Sequence, residues 1–130
     1  MLNRWLLGVC LLCLSSAVCA GDPVPLVLDE AVQAQASAAW RARRLEAGKQ
    51  VYEHACASCH DEGVHGAPAI GDRDAWKDRS PLWSAVLFEH SRDGYLEMPA
   101  KGAHEDLSDL EVDAAGEYLL SKTFPELPLD

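Results

Sequence analysis

Near the middle of the chain, Cys56-Ala57-Ser58-Cys59-His60 sets two thiols two residues apart with an imidazole directly after them. No other feature restricts the possible folds so tightly. Two thiols at this spacing can add to the two vinyl groups of one haem while the chain turns, and the adjoining histidine then lies beneath the iron as an axial ligand. A bare cysteine pair has other uses, as half of a zinc site or as a thiol redox centre. Zinc would need two further thiol or imidazole ligands at motif-like spacing, and a thioredoxin-like pair belongs to a β-α-β pattern that this chain lacks.

The remaining cysteines point to the compartment. Met1 to Ala20 begins with Arg4, continues through the apolar run Leu6 to Leu14, and ends with small residues at Val18-Cys19-Ala20 before Gly21. This is the pattern of a cleaved secretory signal over residues 1–20. The run is well short of the roughly 20 apolar residues a membrane span requires, so no permanent membrane anchor is expected. Lipidation would want a small residue before the modified cysteine, whereas Val9, Leu12 and Val18 precede Cys10, Cys13 and Cys19. Cleavage reduces five cysteines to two, Cys56 and Cys59. A small domain exported without another bridge needs a different stabiliser, and a covalent prosthetic group is one.

The precursor has 11 basic and 21 acidic residues, a formal charge of −10. Loss of Arg4 takes the mature chain to about −11. Such a surface excludes nucleic acid, whose phosphates demand a basic face. It favours salt-dependent encounters with basic partner surfaces.

At 130 residues the chain has room for one domain. Residues 21–44 are expected to form an N-terminal extension, partly helical, in which an extended lead-in from Asp22 to Leu28 precedes a helix capped by Asp29 and running through Val32, Ala36 and Trp40. The Arg41, Arg43 and Arg44 cluster is read as a solvated helix face. From Leu45, the spacing Leu45, Gly48, Val51/Tyr52, Ala55 predicts a helix delivering the cysteine pair. The glycines and proline of Asp61 to Gly71 read as loop, and Asp72 or Asp74 as the cap of a short turn carrying Trp76. Ser80-Pro81 starts a further helix in which Leu82, Val86 and Leu87 face inward, and Gly94 ends it.

Ser108 and Glu111 form a capping box, with Leu107 and Val112 placed as a staple, for a last helix whose apolar side is Leu110, Ala114, Ala115, Tyr118 and Leu119. The core domain is bounded at 45–122 and followed by an extended tail, 123–130. With no alternating strand pattern, the fold class is all-α.

A second axial ligand must come from elsewhere. Met98 is the only methionine of the mature chain, and it sits in a loop with Pro99 directly after it. A lone methionine is ordinarily core filler; beside a haem motif its placement makes it the leading candidate. His54, His65, His90 and His104 are the competing donors. Histidine and methionine together raise a haem's reduction potential relative to two imidazoles.

Taken together, Gly48, Tyr52, Cys56-x-x-Cys59-His60, Gly66-Ala67-Pro68, Gly71-Asp72, Trp76, Arg79, Gly94 and Met98-Pro99-Ala100-Lys101-Gly102 resemble a class I, mono-haem cytochrome c, over roughly Leu45 to Lys122. The pattern is most similar to the bacterial cytochrome c-five subgroup, although Ala103 to Leu107 lacks the second cysteine pair often found there. The resemblance implies a helical fold wrapped around one covalent haem c. The Leu45 and Ser108 helices would cross at Gly48, with Tyr52 and Tyr118 packed nearby. The Pro68 carbonyl would accept from the far nitrogen of His60, while Trp76 and Arg79 would lie towards the haem propionates.

The expected function is a periplasmic one-electron carrier of a respiratory chain, not an enzyme, whose partners are redox proteins: a donor reductase or dehydrogenase and an acceptor oxidase or reductase. Two alternatives are the haem subunit of a periplasmic dehydrogenase, docked through residues 22–44, and a gas sensor or peroxidase with an open sixth site.

Overall fold

A computed structural model of the chain describes residues 29–77, 79 and 84–126. The expected signal segment, the Asp22 to Leu28 lead-in, the Ser80-Pro81 helix start, Leu82 and the end of the tail lie outside the described residues. Within them the chain is helical, and its one extended contact is an isolated bridge between Tyr95 and Met98.

Helix α1 spans Glu30–Val51, and its cap is Asp29, whose carboxylate accepts from the Ala31 amide at 3.2 Å. Glu30 in the first turn and Lys49 in the last oppose the partial charges of the helix ends. The two helices expected on either side of residue 44 are one. Arg41-Ala42-Arg43-Arg44 contains neither glycine nor proline and consists of strong helix formers, so nothing interrupts the ladder. Residues 29–43 are exposed along their whole length; burial begins at Arg44.

The chain then forms a π-helical turn, Tyr52–Cys56, and a single α-turn, α2, Ala57–His60. A short loop leads to α3, Arg73–Trp76, capped by Asp72, whose side chain accepts from the Asp74 and Ala75 amides at 3.1 Å each. Helix α4, Ser84–Asp93, stops at Gly94, which takes φ +89°. Helix α5, Asp109–Thr123, starts at the capping box: Ser108 Oγ accepts from the Glu111 amide, and Glu111 Oε2 accepts from Ser108 N at 2.8 Å.

Helices α1 and α5 are the main pair, and they meet at a glycine. A Cβ on Gly48 would lie 1.9 Å from the Ala114 carbonyl oxygen, so the two backbones touch where any side chain would separate them. Around this crossing Tyr52, Ala115, Leu119 and Leu120 form the buried core, flanked by Leu87, Phe88, Trp76 and Phe124. Tyr52 and Tyr118 sit 5.4 Å apart, ring centre to ring centre. The Thr123 hydroxyl donates to Leu119 O at 2.9 Å and accepts from Gly71 N at 3.1 Å, tying the end of α5 to the loop after α2.

Two expectations need correction. By its spacing Leu110 belongs to the apolar side of α5, but it is 71 % exposed. It lies one turn before Ala114, the residue in contact with Gly48, and borders an open groove with Trp40. Arg44 is not simply a solvated member of its cluster. Its Nε donates to Glu117 Oε2 at 2.6 Å, and Glu117 is itself buried.

Candidate functional site

The π-helical turn delivers the cysteine motif to the edge of a cavity of about 670 Å³. Cys56 and Cys59, both free and half-buried, line it with His60, which is only 7 % exposed. His60 Nδ1 lies 2.9 Å from the Pro68 carbonyl oxygen. A carbonyl can only accept, so this contact places the proton on Nδ1 and leaves the Nε2 lone pair for another partner. On the same side Trp76 stacks on the imidazole at 5.9 Å with 24° between the planes, and the His60 carbonyl accepts from Ile70 N at 2.6 Å. The ring is thus held from its far nitrogen, its face and its backbone.

The other walls come from α4 (Leu87, Phe88, His90), α5 (Val112, Ala115, Leu119, Leu120) and the turn carrying Met98. Tyr95 and Met98 exchange both backbone hydrogen bonds at 2.9 Å, with Leu96 at φ +53°, so Met98 leaves a tight turn as a half-buried side chain in the cavity wall. The loop beyond Met98 is anchored twice. Lys101 Nζ donates to Leu107 O at 2.8 Å and pairs with Asp109 Oδ1 at 2.9 Å, while a Cβ on Gly102 would lie 2.7 Å from Ala55 O. Of the competing histidines, His65 and His90 line the cavity and His54 and His104 do not. His90 stacks on Tyr95 at 4.0 Å.

The donors suit a flat macrocycle that brings its own equatorial nitrogens. The cavity falls within the roughly 300–1,000 Å³ of cofactor sites, and most of its walls are apolar side chains. It presents two thiols and one imidazole from one segment and one thioether from another. Burial first, and then the neighbouring Cys59, pushes the Cys56 thiol up to about 11, the opposite of the lowered value a redox-active pair uses. Among the described residues no three His, Cys, Asp or Glu side chains come together to hold a metal ion directly.

Trp76 and Arg79 line the same cavity, but their donors meet backbone carbonyls: Trp76 Nε1 reaches Ala69 O at 2.7 Å, and Arg79 Nη2 reaches Gly66 O at 3.1 Å. Arg79 keeps further N–H groups for a carboxylate. Two supports had no individual sequence signal. The buried Tyr52 hydroxyl donates to Asp61 Oδ1 at 2.7 Å, bracing α2 from below. The double anchoring of Lys101 depends on α5 returning to the Met98 loop.

Comparison with known proteins agrees with this geometry. Residues 43–119 match the family model described as cytochrome C oxidase, cbb3-type, subunit III. Cytochrome c-555 of Prosthecochloris aestuarii is 40 % identical over 86 residues, covering 60 % of this chain and 87 % of that protein. Cytochrome c5 of Azotobacter vinelandii is 39 % identical over 70 residues, 52 % of this chain and 84 % of its own length. A chain in a crystal structure of an electron transfer complex of nitrite reductase with cytochrome c superposes with a TM-score of 0.55 at 30 % identity, covering 59 % of this chain and 94 % of that one.

Proposed function

The chain belongs to the class I, mono-haem cytochromes c, and from that premise we propose that it carries electrons in the periplasm with His60 and Met98 as the axial ligands of its iron. It is a c-type cytochrome, an electron carrier and not an enzyme, and its cofactor is covalent haem c. When bound, that group supplies a one-electron Fe(II)/Fe(III) couple. In this proposal Cys56 and Cys59 would form the two thioethers, and His60 through Nε2 and Met98 through its sulfur would hold the iron.

The observation that carries the ligand assignment is the convergence on one apolar cavity of an imidazole fixed by Pro68 and a thioether held in a two-ended turn. The Pro68 contact orients the imidazole and strengthens it as a ligand, and the thioether favours the reduced iron, which raises the potential relative to ligation by two imidazoles. Substituting Met98→Ala tests it. The weak near-infrared sulfur-to-iron band of the oxidised protein should disappear, and its survival would rule Met98 out.

Export rests on residues 1–20; among the described residues no helix is long and apolar enough to cross a membrane. Intact mass of periplasmic material, equal to residues 21–130 plus one haem, would support processing and attachment together. Redox proteins with basic faces are the proposed partners, because a formal charge of −10 attracts them in a salt-dependent way. One observation favours a second reading, that of a subunit held in a dehydrogenase: the exposed first half of α1, with Val32 48 % and Trp40 54 % exposed. A stable large complex on size exclusion of native extract would select it over a freely diffusing carrier.

A further inference from the structure

The geometry points to a second metal site, remote from the haem cavity, in which His54 and His104 together bind a divalent transition ion of the zinc or nickel kind. The two rings come from segments fifty residues apart, the π-helical turn and the chain following the Ala100–Ala103 turn, yet their centres are 4.7 Å apart, tilted by 57°. A zinc–imidazole bond of about 2.0–2.1 Å, with roughly 1.1 Å more to the ring centre, puts two rings on one ion about 4.5 Å apart at a right angle and about 5.2 Å apart at the tetrahedral angle. The observed spacing lies between these limits.

The ring nitrogens are free to serve. Neither imidazole has a hydrogen bond or ion pair among the described residues, the bonds of His104 to Lys101 and Leu107 being through its backbone, whereas the His60 ring is committed to Pro68. His54 is exposed and His104 half-buried, so water can complete the coordination. Glu53 and Glu105 adjoin the two histidines in sequence, and the strongly acidic chain favours a bound cation. Imidazole is a ligand that zinc, copper and nickel share, and hard ions such as calcium and magnesium do not use it.

The pair also spans a seam. Ala55 follows His54 and Gly102 lies two residues before His104, and these are the residues whose backbones approach too closely for a Cβ. A bound ion would therefore cross-link the cysteine-bearing turn to the loop of Met98. The site itself uses no residue assigned to the iron, so it stands or falls separately from the ligand assignment.

The test is calorimetric titration of Zn(II) into chelator-treated holoprotein at about pH 7.5. One Zn(II) per chain is expected, with affinity falling at least about tenfold in His54→Gln and in His104→Gln and unchanged in His65→Gln. Imidazole nuclear magnetic resonances of His54 and His104 should shift with the same stoichiometry. No zinc binding, binding indifferent to both substitutions, or binding lost equally in His65→Gln would overturn the site.

Discussion

Replacing Gly48 by alanine adds one methyl group at the point where α1 touches α5, and its cost can be worked from the contact itself. The new carbon would stand 1.9 Å from Ala114 O, and ordinary contact begins at 3.4 Å, so the helices must part locally by about 1.5 Å. The obstacle is backbone, which cannot rotate away, and this puts the penalty at the upper end of the roughly 1–3 kcal/mol for overpacking. Alanine returns about 1 kcal/mol of helix propensity. A net loss of about 2 kcal/mol remains, equivalent to a fall of about 8–16 °C in Tm for a domain of this size.

Guanidinium melts of the oxidised holoprotein, followed by far-ultraviolet circular dichroism, read the loss directly. Gly116→Ala is the internal comparison, because its Cβ would meet only the Phe88 ring edge, at 2.8 and 2.9 Å, and a ring can turn aside. It should stay within about 1 kcal/mol of the parent. Stability of Gly48→Ala equal to the parent, or above that of Gly116→Ala, would refute a crossing fixed by backbone contact.

Arg44→Ala strips Glu117 of its partner while the carboxylate stays buried; a cost of about 1–2 kcal/mol is expected in the same melts, discounted for the 22 % exposure of the arginine side chain, with part of it recovered by adding Glu117→Gln. In acid, Glu111 and Asp109 supply the pH dependence of the α5 start. The Ser108 cap holds Glu111, and Lys101 holds Asp109, below their ordinary values of 4.5 and 3.8. Their stabilisation is complete above those values and is lost as pH falls through the lowered ones, so Glu111→Gln should flatten the acid limb of a stability–pH curve. At the alkaline end, burial and then the Asp61 hydrogen bond raise the Tyr52 phenol far above its usual 10.0. Tyr52→Phe should leave the tyrosinate absorbance curve unchanged up to about pH 11, a unit past the free phenol.

The features legible in the chain were those that neighbours in sequence decide. The Ser108 box, the Asp29 cap and the Gly94 stop each involve residues at most four apart, and each stands where the residue types indicate. The cysteine motif was equally legible, because its chemistry is written in five consecutive positions. The fate of Arg44 was not, since Glu117 lies 73 residues away and only the α1–α5 crossing brings the two together. Leu110 fits the apolar stripe of α5, but a stripe does not reveal where the partner helix ends its cover. Nor does composition reveal that Trp76 and Arg79 would direct donors to carbonyls of the loop they close.

The wide turn at Tyr52–Cys56 makes the orientation of everything downstream a matter of counting. Were the same five residues wound with ordinary α-helical spacing, each would turn by about 100° in place of the smaller angle of a wide turn, and the subsequent residues would swing by roughly one residue's rotation around the axis. Gly48, wedged against Ala114, would stay where it is, and the thiols and imidazole would be aimed elsewhere. The width of this turn, more than the identity of any one of its residues, therefore sets the bearing of the redox centre, and single-residue insertions there should be far less tolerated than substitutions at exposed Glu53.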